Sequence, residues 1–360
     1  MPAASPSGAS GFPQPSGLSA GDSLPALDEL PPLAELLSAA RVVSIPMRVK
    51  FRGILERETL LLRGPAGWGE FGAFPEYGDA EASRWLRAAV EAGWQGFPEP
   101  LRDSIPVNAT VPAVPAARVP DVLARFGRVD AVKVKVAESG QTLDDDVARV
   151  AAVRAELPDA AVRVDANGGW DVPEAVEALT RLAGFDLEYA EQPVLGIDAL
   201  AEVRRLLRDA GVPVLIAADE SVRKEEDPLK VARAGAADLI VVKVAPLGGV
   251  RRALDIVAQA GMPAVVSSAL DTSVGIRAGL ALAAALPELP YACGLGTVSL
   301  LAGDVTTDPL VADDGAIRLR DVVPDEGLLE RYAAADDRKN WWLARLRRAY
   351  AELGRKYLAR

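Results

Sequence analysis

Ala131-Val132-Lys133-Val134-Lys135-Val136-Ala137 and, one supersecondary unit later, Ala161-Val162-Arg163-Val164-Asp165-Ala166-Asn167-Gly168 are short β-branched runs with charged side chains set among valines. Side chains alternate across a strand, so Lys133 and Lys135 share one face and the valines fill the other. Six further runs have the same character: Ile105 to Val111, Leu187 to Ala190, Val212 to Ala217, Leu239 to Val244, Ala264 to Ser268 and a weaker one near Cys293. Helical patterns lie between most of them. Eight β runs alternating with helices predict a closed parallel barrel. An open doubly wound sheet is the competing arrangement, but no Gly-rich phosphate turn follows the first run.

In a parallel barrel, chemistry gathers at the C-terminal ends of the strands. Lys135, Asp165, Glu191, Asp219, Lys243 and Ser267 occupy those ends, separated by 30, 26, 28, 24 and 24 residues, or about one strand-helix unit each. Each strand then projects one polar group into a common mouth. Taken singly, Asp165 or Asn167 reads equally as an Asx turn, and Asp219 or Ser221 as a cap. Glu191 is harder to dismiss, because glutamate is a poor turn residue and one ending an apolar strand needs a partner. Taken together, three carboxylates at one level repel unless a cation joins them. Oxygen-only ligation selects a hard ion, Mg²⁺ with Mn²⁺ as a substitute.

Composition narrows the chemistry further. The 360 residues contain no histidine, which removes Ser-His-Asp triads, His-ligated zinc and imidazole acid-base catalysis. Only eight of the 40 basic residues are lysines, so arginine serves wherever a generic positive charge suffices. A lysine inside an apolar strand is therefore informative, because a partly buried lysine can lose its proton and an arginine cannot. That makes Lys135 the candidate base, with structural ion pairing as the competing role for Lys133, Lys135 and Lys243. A formal charge of -11 argues against nucleic acid or anionic membrane as partners and for a small anionic ligand at a local cationic site. The single cysteine, Cys293, forms no intrachain disulfide and fits a reducing, cytoplasmic setting.

The remaining segments frame the barrel. Residues 1–30 are rich in Pro, Ser, Gly and Ala, with no Lys or Arg before Arg41, and read as a disordered tail rather than a signal peptide. No apolar run is long enough for a transmembrane helix. Arg57 to Leu62 and Trp68 to Phe71 flank a Gly64-Pro65-Ala66-Gly67 turn and predict a small antiparallel sheet, followed by a helix over Asp79 to Ala92. Ser267 to Gly275 places hydroxyls and backbone amides before a predicted helix, a start that can hold a substrate carboxylate, unless Thr272 or Ser273 merely caps it. Gly294-Leu295-Gly296-Thr297 is a second anion-loop candidate. Pro309 to Leu319 reads as strand and turn, and Glu326 to Arg360 as one or two helices, both able to return to the N-terminal layer.

These features resemble the muconate lactonizing enzyme subgroup of the enolase superfamily. The resemblance rests on Lys133-x-Lys135, Asp165 with Asn167, Glu191-Gln192-Pro193, Asp219-Glu220-Ser221, Lys243 followed by Pro246 and Gly248-Gly249, and the Ser267 to Gly275 segment. It spans roughly residues 40 to 325. Phe51-Arg52-Gly53, Trp68-Gly69-Glu70-Phe71, Phe74 to Tyr77 and the Gly294 to Asp304 segment are similar to one branch of the subgroup. That branch dehydrates a succinyl-bearing hydroxycyclohexadiene carboxylate to o-succinylbenzoate in menaquinone biosynthesis.

The resemblance implies a (β/α)₇β TIM-like barrel over residues 104–307. Its α+β capping domain would be formed by residues 31–103 together with C-terminal elements from 308–360. It implies Asp165, Glu191 and Asp219 as Mg²⁺ ligands, and Lys135 and Lys243 on opposite faces of the substrate. Lys133, Asn167, Ser267 and Ser268 would contact the substrate, and Arg52 with Phe74 to Tyr77 would close over it. Racemisation of N-acylamino acids or epimerisation of dipeptides is the alternative within the superfamily. The Asp-x-Asp pair expected of the epimerases is replaced here by Leu270-Asp271-Thr272. Monomer and homo-oligomer stay open.

Overall fold

Alternation of apolar and polar side chains places the first three strands in one sheet. In the computed structural model, which describes residues 30–51, 53–222 and 227–358, β1 (Ala40–Phe51), β2 (Ile54–Gly64) and β3 (Gly67–Phe71) are antiparallel in the order β1-β2-β3. The expected N-terminal tail and Arg52 fall outside the described residues. Val42 pairs with Leu60 and Leu60 with Phe71, all on the buried face. The helix Asp79–Val90 lies on that face and buries Trp85 and Leu86. Gly69 permits the contact: a β-carbon there would collide with the Ala89 carbonyl. The C-terminal segment forms two helices, Glu326–Arg331 and Asp336–Leu358. The second returns to this cap, with Trp342 edge-on to Phe71 at 5.7 Å and its indole N–H donating to Glu58 at 3.0 Å.

The run expected from Ile105 to Val111 divides in two. Pro106 lacks the N–H that a continuous ladder needs. β4 (Ser104–Pro106) therefore leaves the barrel and pairs antiparallel with β12 (Ala316–Arg318), while β5 (Ala109–Val111) enters it. The remaining parallel strands are β6 (Ala131–Lys135), β7 (Ala161–Asp165), β8 (Leu187–Glu191), β9 (Ile216–Ala218), β10 (Leu239–Val242) and β11 (Ala264–Val266), in sequence order across the sheet. An eighth, very short member closes it. Cys293 bridges Val107 and Gly294 bridges Ser267, with the Cys293 N–H donating to Pro106 O at 2.7 Å and the Gly294 N–H to Val266 O at 2.8 Å. Inside, Tyr189, Leu239, Val241 and Val265 form an apolar plug. Arg163 is fully buried beside it, donating to Asn108 Oδ1 at 3.1 Å and Ala292 O at 2.6 Å.

The cap docks on the barrel through buried charge. Arg57, 1% exposed, donates to Gly72 O at 2.5 Å within the cap and to Leu270 O at 3.1 Å across the junction, and lies over the Phe74 ring at 4.5 Å. Glu70 accepts from the Thr272 N–H at 3.1 Å, the Thr272 hydroxyl at 2.6 Å and the Gly275 N–H at 3.0 Å. The helix Ser273–Ala285 thus begins with the Glu70 carboxyl group already seated on its first N–H groups. The Thr272 and Gly275 N–H groups, which the sequence offers to a substrate carboxylate, are taken by Glu70. Thr272 also caps the helix by accepting from the Val274 N–H, and Ser273 is engaged by buried Asp304. Among the described residues no helix is long and apolar enough to cross a membrane.

Two outcomes follow from the packing. Gly69→Ala should cost about 1–3 kcal/mol through overpacking, read as a lower denaturation midpoint. Burial, then the charge of Asp271, pushes the Glu70 carboxyl up from 4.5 to about 8, against the pull of Arg57. The folded protein keeps this proton where the unfolded chain has released it, so stability falls as pH rises through that interval and levels off above it. Glu70→Gln removes the titration. The melting-temperature difference, variant minus parent, should grow from about pH 4.5 to about pH 8 and then stay constant; a flat difference would contradict the assignment.

Candidate active site

Parallel register sets Lys135, Asp165 and Glu191 in one row, and Lys133, Arg163 and Tyr189 in the row below. Each strand contributes alternate residues to the barrel interior, so the rows stack. Asp219, Lys243 and Ser267 immediately follow β9, β10 and β11 and complete the ring at the mouth. Lys133, Lys135, Asp165 and Asn167 line one cavity with Asp219, Lys243, Ser267 and Ser268. Glu191, 1% exposed, supports it from behind Lys133. All nine residues singled out from the sequence are therefore brought together.

The charges are tightly paired. Lys135 Nζ donates to Asp165 at 2.5 Å and to Asn167 Oδ1 at 2.6 Å. Lys133 Nζ donates to both Glu191 oxygens at 3.1 Å and lies 3.2 Å from Asp165, while Lys243 pairs with Asp219. Burial opposes ionisation throughout, and the partners overrule it unevenly. The ammoniums of Lys135 and Lys133 hold Asp165 well below the usual carboxylate range despite its burial. Lys243 does the same for Asp219. Lys133 is held above its ordinary value because Glu191 and Asp165 outweigh its desolvation. Glu191 goes the other way: burial and the neighbouring Asp165 push it up to about 8, more than Lys133 offsets.

Lys133 lies between Asp165 and Glu191, and Lys135 and Lys243 each pair with one acid. Among the described residues no trio of acidic or cysteine side chains already converges tightly enough to hold an ion. The donor set nevertheless fits a hard divalent cation. Three buried carboxyl groups, from β7, β8 and the end of β9, offer oxygen only.

One buried amide fixes the shape of this ring. Gln192, fully buried and in the left-handed backbone region at φ 40°, accepts from the Asp219 N–H at 2.9 Å and the Ser221 N–H at 3.1 Å. Its amide donates to Val194 O at 2.7 Å and to the Ser221 hydroxyl at 2.9 Å. Every hydrogen-bonding capacity of the side chain is used, and the loop after β8 is tied to the turn that carries Asp219. Ser268 donates to Gly294 O at 3.0 Å and shares a hydrogen bond with Thr297 at 2.7 Å. The Gly294 N–H is consumed by barrel closure, which removes it from the anion loop expected at Gly294 to Thr297. Over the mouth, Phe74 and Tyr77 pack edge to face at 5.8 Å and share a cavity with Asp219 and Lys243. Arg345 holds their turn by donating to Phe74 O and Tyr77 O at 2.8 and 2.7 Å.

Thr110, on the cavity wall, is absent from the candidates, whereas Thr297, named there with the Gly294 loop, serves as the hydroxyl partner of Ser268. Thr110 carries a usable signal, since Asn108 and Thr110 alternate with Val107, Ala109 and Val111 on the first strand as Lys133 and Lys135 do on the next.

Comparison with known proteins agrees with this architecture. The family models for the enolase N-terminal domain-like and enolase C-terminal domain-like folds match residues 42–93 and 116–328. A protein of Mycolicibacterium smegmatis described as o-succinylbenzoate synthase is 58% identical over 306 residues, covering 85% of this chain and 93% of the relative. One of Mycobacterium marinum with the same description is 55% identical over 316 residues, covering 88% and 94%. Among solved structures, muconate lactonizing enzyme from Pseudomonas fluorescens complexed with muconolactone superposes with a TM-score of 0.71 at 23% identity, over 82% of this chain and 98% of that one, a likeness of fold. With this identity and coverage, the chain belongs to the o-succinylbenzoate synthase family of the enolase superfamily.

Proposed function

We propose that the protein is a lyase that removes water from a succinyl-bearing hydroxycyclohexadiene carboxylate to give o-succinylbenzoate, a step of menaquinone biosynthesis in the cytoplasm, with Lys135 as the base. The observation that carries this reading is the placement of Lys135 and Lys243, four strands apart around the barrel, on one cavity with Asp165 and Asp219 between them. Lys135 Nζ takes the proton on the ring carbon beside the carboxylate. The electron pair moves into the ring and the C–O bond to the hydroxyl breaks. Lys135 returns its proton to the departing oxygen, which leaves as water, and the ring becomes aromatic.

The other residues prepare that transfer. Asp165, Glu191 and Asp219 hold a divalent ion, magnesium in our reading with manganese as a substitute, which when bound supplies positive charge against the substrate carboxylate. Lys133 neutralises Glu191 and presents its ammonium at the cavity wall. Lys243 places fixed positive charge across the ring. Asn167, Ser267 and Ser268 supply polar contacts to the substrate, and Phe74 to Tyr77 keep water out. In this reading residues 31–103 and 308–360 form the cap and 104–307 the barrel.

Supplying the cyclohexadiene substrate with Mg²⁺ should give loss of its ultraviolet absorbance. Absence of turnover, with α-proton exchange of N-acylamino acids instead, would sink the synthase reading in favour of racemisation. Lys135→Ala should lower kcat about 10²–10⁴-fold, and a variant that kept full rate would remove Lys135 from the chemistry. Chelation of divalent ions should abolish turnover and added Mg²⁺ restore it; full activity in the chelator would overturn the ligand assignment.

A further inference from the structure

Asn167 stands where the barrel's charged ring meets the loops above it. It has a left-handed backbone, φ 48°, and its N–H donates to Asp165 Oδ1 at 3.0 Å. Its side chain is engaged at both ends: Oδ1 accepts from Lys135 Nζ at 2.6 Å, and Nδ2 donates to Glu220 Oε1 at 3.1 Å. An amide turned the other way would set its NH₂ against the ammonium and its oxygen against the carboxylate, repulsive contacts at both ends. Glu220 therefore joins Lys135 itself in fixing which end of the amide faces the lysine. Glu220 is itself placed, because it opens the turn Glu220–Val222, whose flanking Asp219 and Ser221 N–H groups are gripped by the buried Gln192 amide.

We infer that Glu220 is a positioning residue for Lys135, acting through the side-chain amide of Asn167. The inference rests on the reading of Lys135 as the base. Asp165 is an acceptor of Lys135 that a bound cation would share, and the oriented Asn167 oxygen is a second acceptor that holds Nζ at the cavity wall. Glu220 lines neither the cavity that holds Lys135 nor the one beneath Phe74 and Tyr77. The hydrogen bond to Asn167 is the path by which it reaches Lys135.

The test uses the full chain loaded with Mg²⁺. Glu220→Gln preserves shape but lets residue 220 meet either end of the Asn167 amide. The expected result is a fall in kcat of about 10-fold or more, with KM and melting temperature unchanged. In an Asn167→Leu background the same substitution should change kcat little, because the relay is already cut. Wild-type kcat in Glu220→Gln, or an undiminished further loss in the Asn167→Leu background, would overturn the inference. A second readout needs no turnover: trinitrobenzenesulfonate labelling of Lys135, followed by peptide mass spectrometry, should rise several-fold in Glu220→Gln. If the parent protein fails to turn over the substrate, the functional reading falls, and labelling alone decides the relay, with an unchanged rate refuting it.

Discussion

Three carboxylates and three ammonium groups share the mouth of one barrel, and the rest of the molecule is organised around keeping that set balanced. Removing one member of a buried ion pair leaves an uncompensated charge, a loss of about 3–5 kcal/mol. The pairs here are interlocked, since Lys133 serves Glu191 and Asp165 while Asp165 serves Lys133 and Lys135. The row below is polar as well: Arg163 joins Asn108, Glu188 and the barrel's closing segment. Parallel register is what makes such layering possible, because it sets equivalent positions of neighbouring strands at one height. A one-residue slip would turn the whole ring outward.

The cap follows from the same constraint. A ring of buried charge needs water excluded on one side and substrate admitted on the other, and the junction is built from charge used structurally. Arg57 and Glu70 cross from the cap to the loop and helix after β11, while Arg84 and Arg87 donate to the carbonyls of Pro246 and Gly248 after β10 at 2.9 and 2.7 Å. Arginine suits this work, because it stays charged and satisfies several carbonyls at once. The chain's preference for arginine therefore has a structural use, and three of its eight lysines stand at the mouth.

The barrel and its charged ring were legible because period-two alternation and the spacing of strand-helix units are local properties. Lys135, Asp165 and Glu191 each end an apolar run, and no long-range knowledge is needed to align them. What escaped the reading depends on contacts between distant segments. Nothing near Thr272 signals that Glu70, 202 residues earlier, will sit on its helix. Gln192 reads as part of a motif but not as a clamp, since its partners lie in a turn up to 29 residues later. The division of the Ile105 to Val111 run is an intermediate case: Pro106 forecasts a break, but which half joins the barrel is settled by β12. Residues 1–29, Arg52, and residues 223–226 and 359–360 lie outside the described structure.

The eighth strand has a further significance. Its two bridges close the cylinder, and one is made by Cys293, the chain's single thiol, fully buried and pushed up to about 12 by its burial. A thiol so held is shielded from solvent and almost wholly protonated at neutral pH, so it is inert while the cylinder is shut. Its chemistry is thereby coupled to the seam. The protein carries, at the point where its first and last barrel strands meet, a native chemical gauge of whether the barrel is closed.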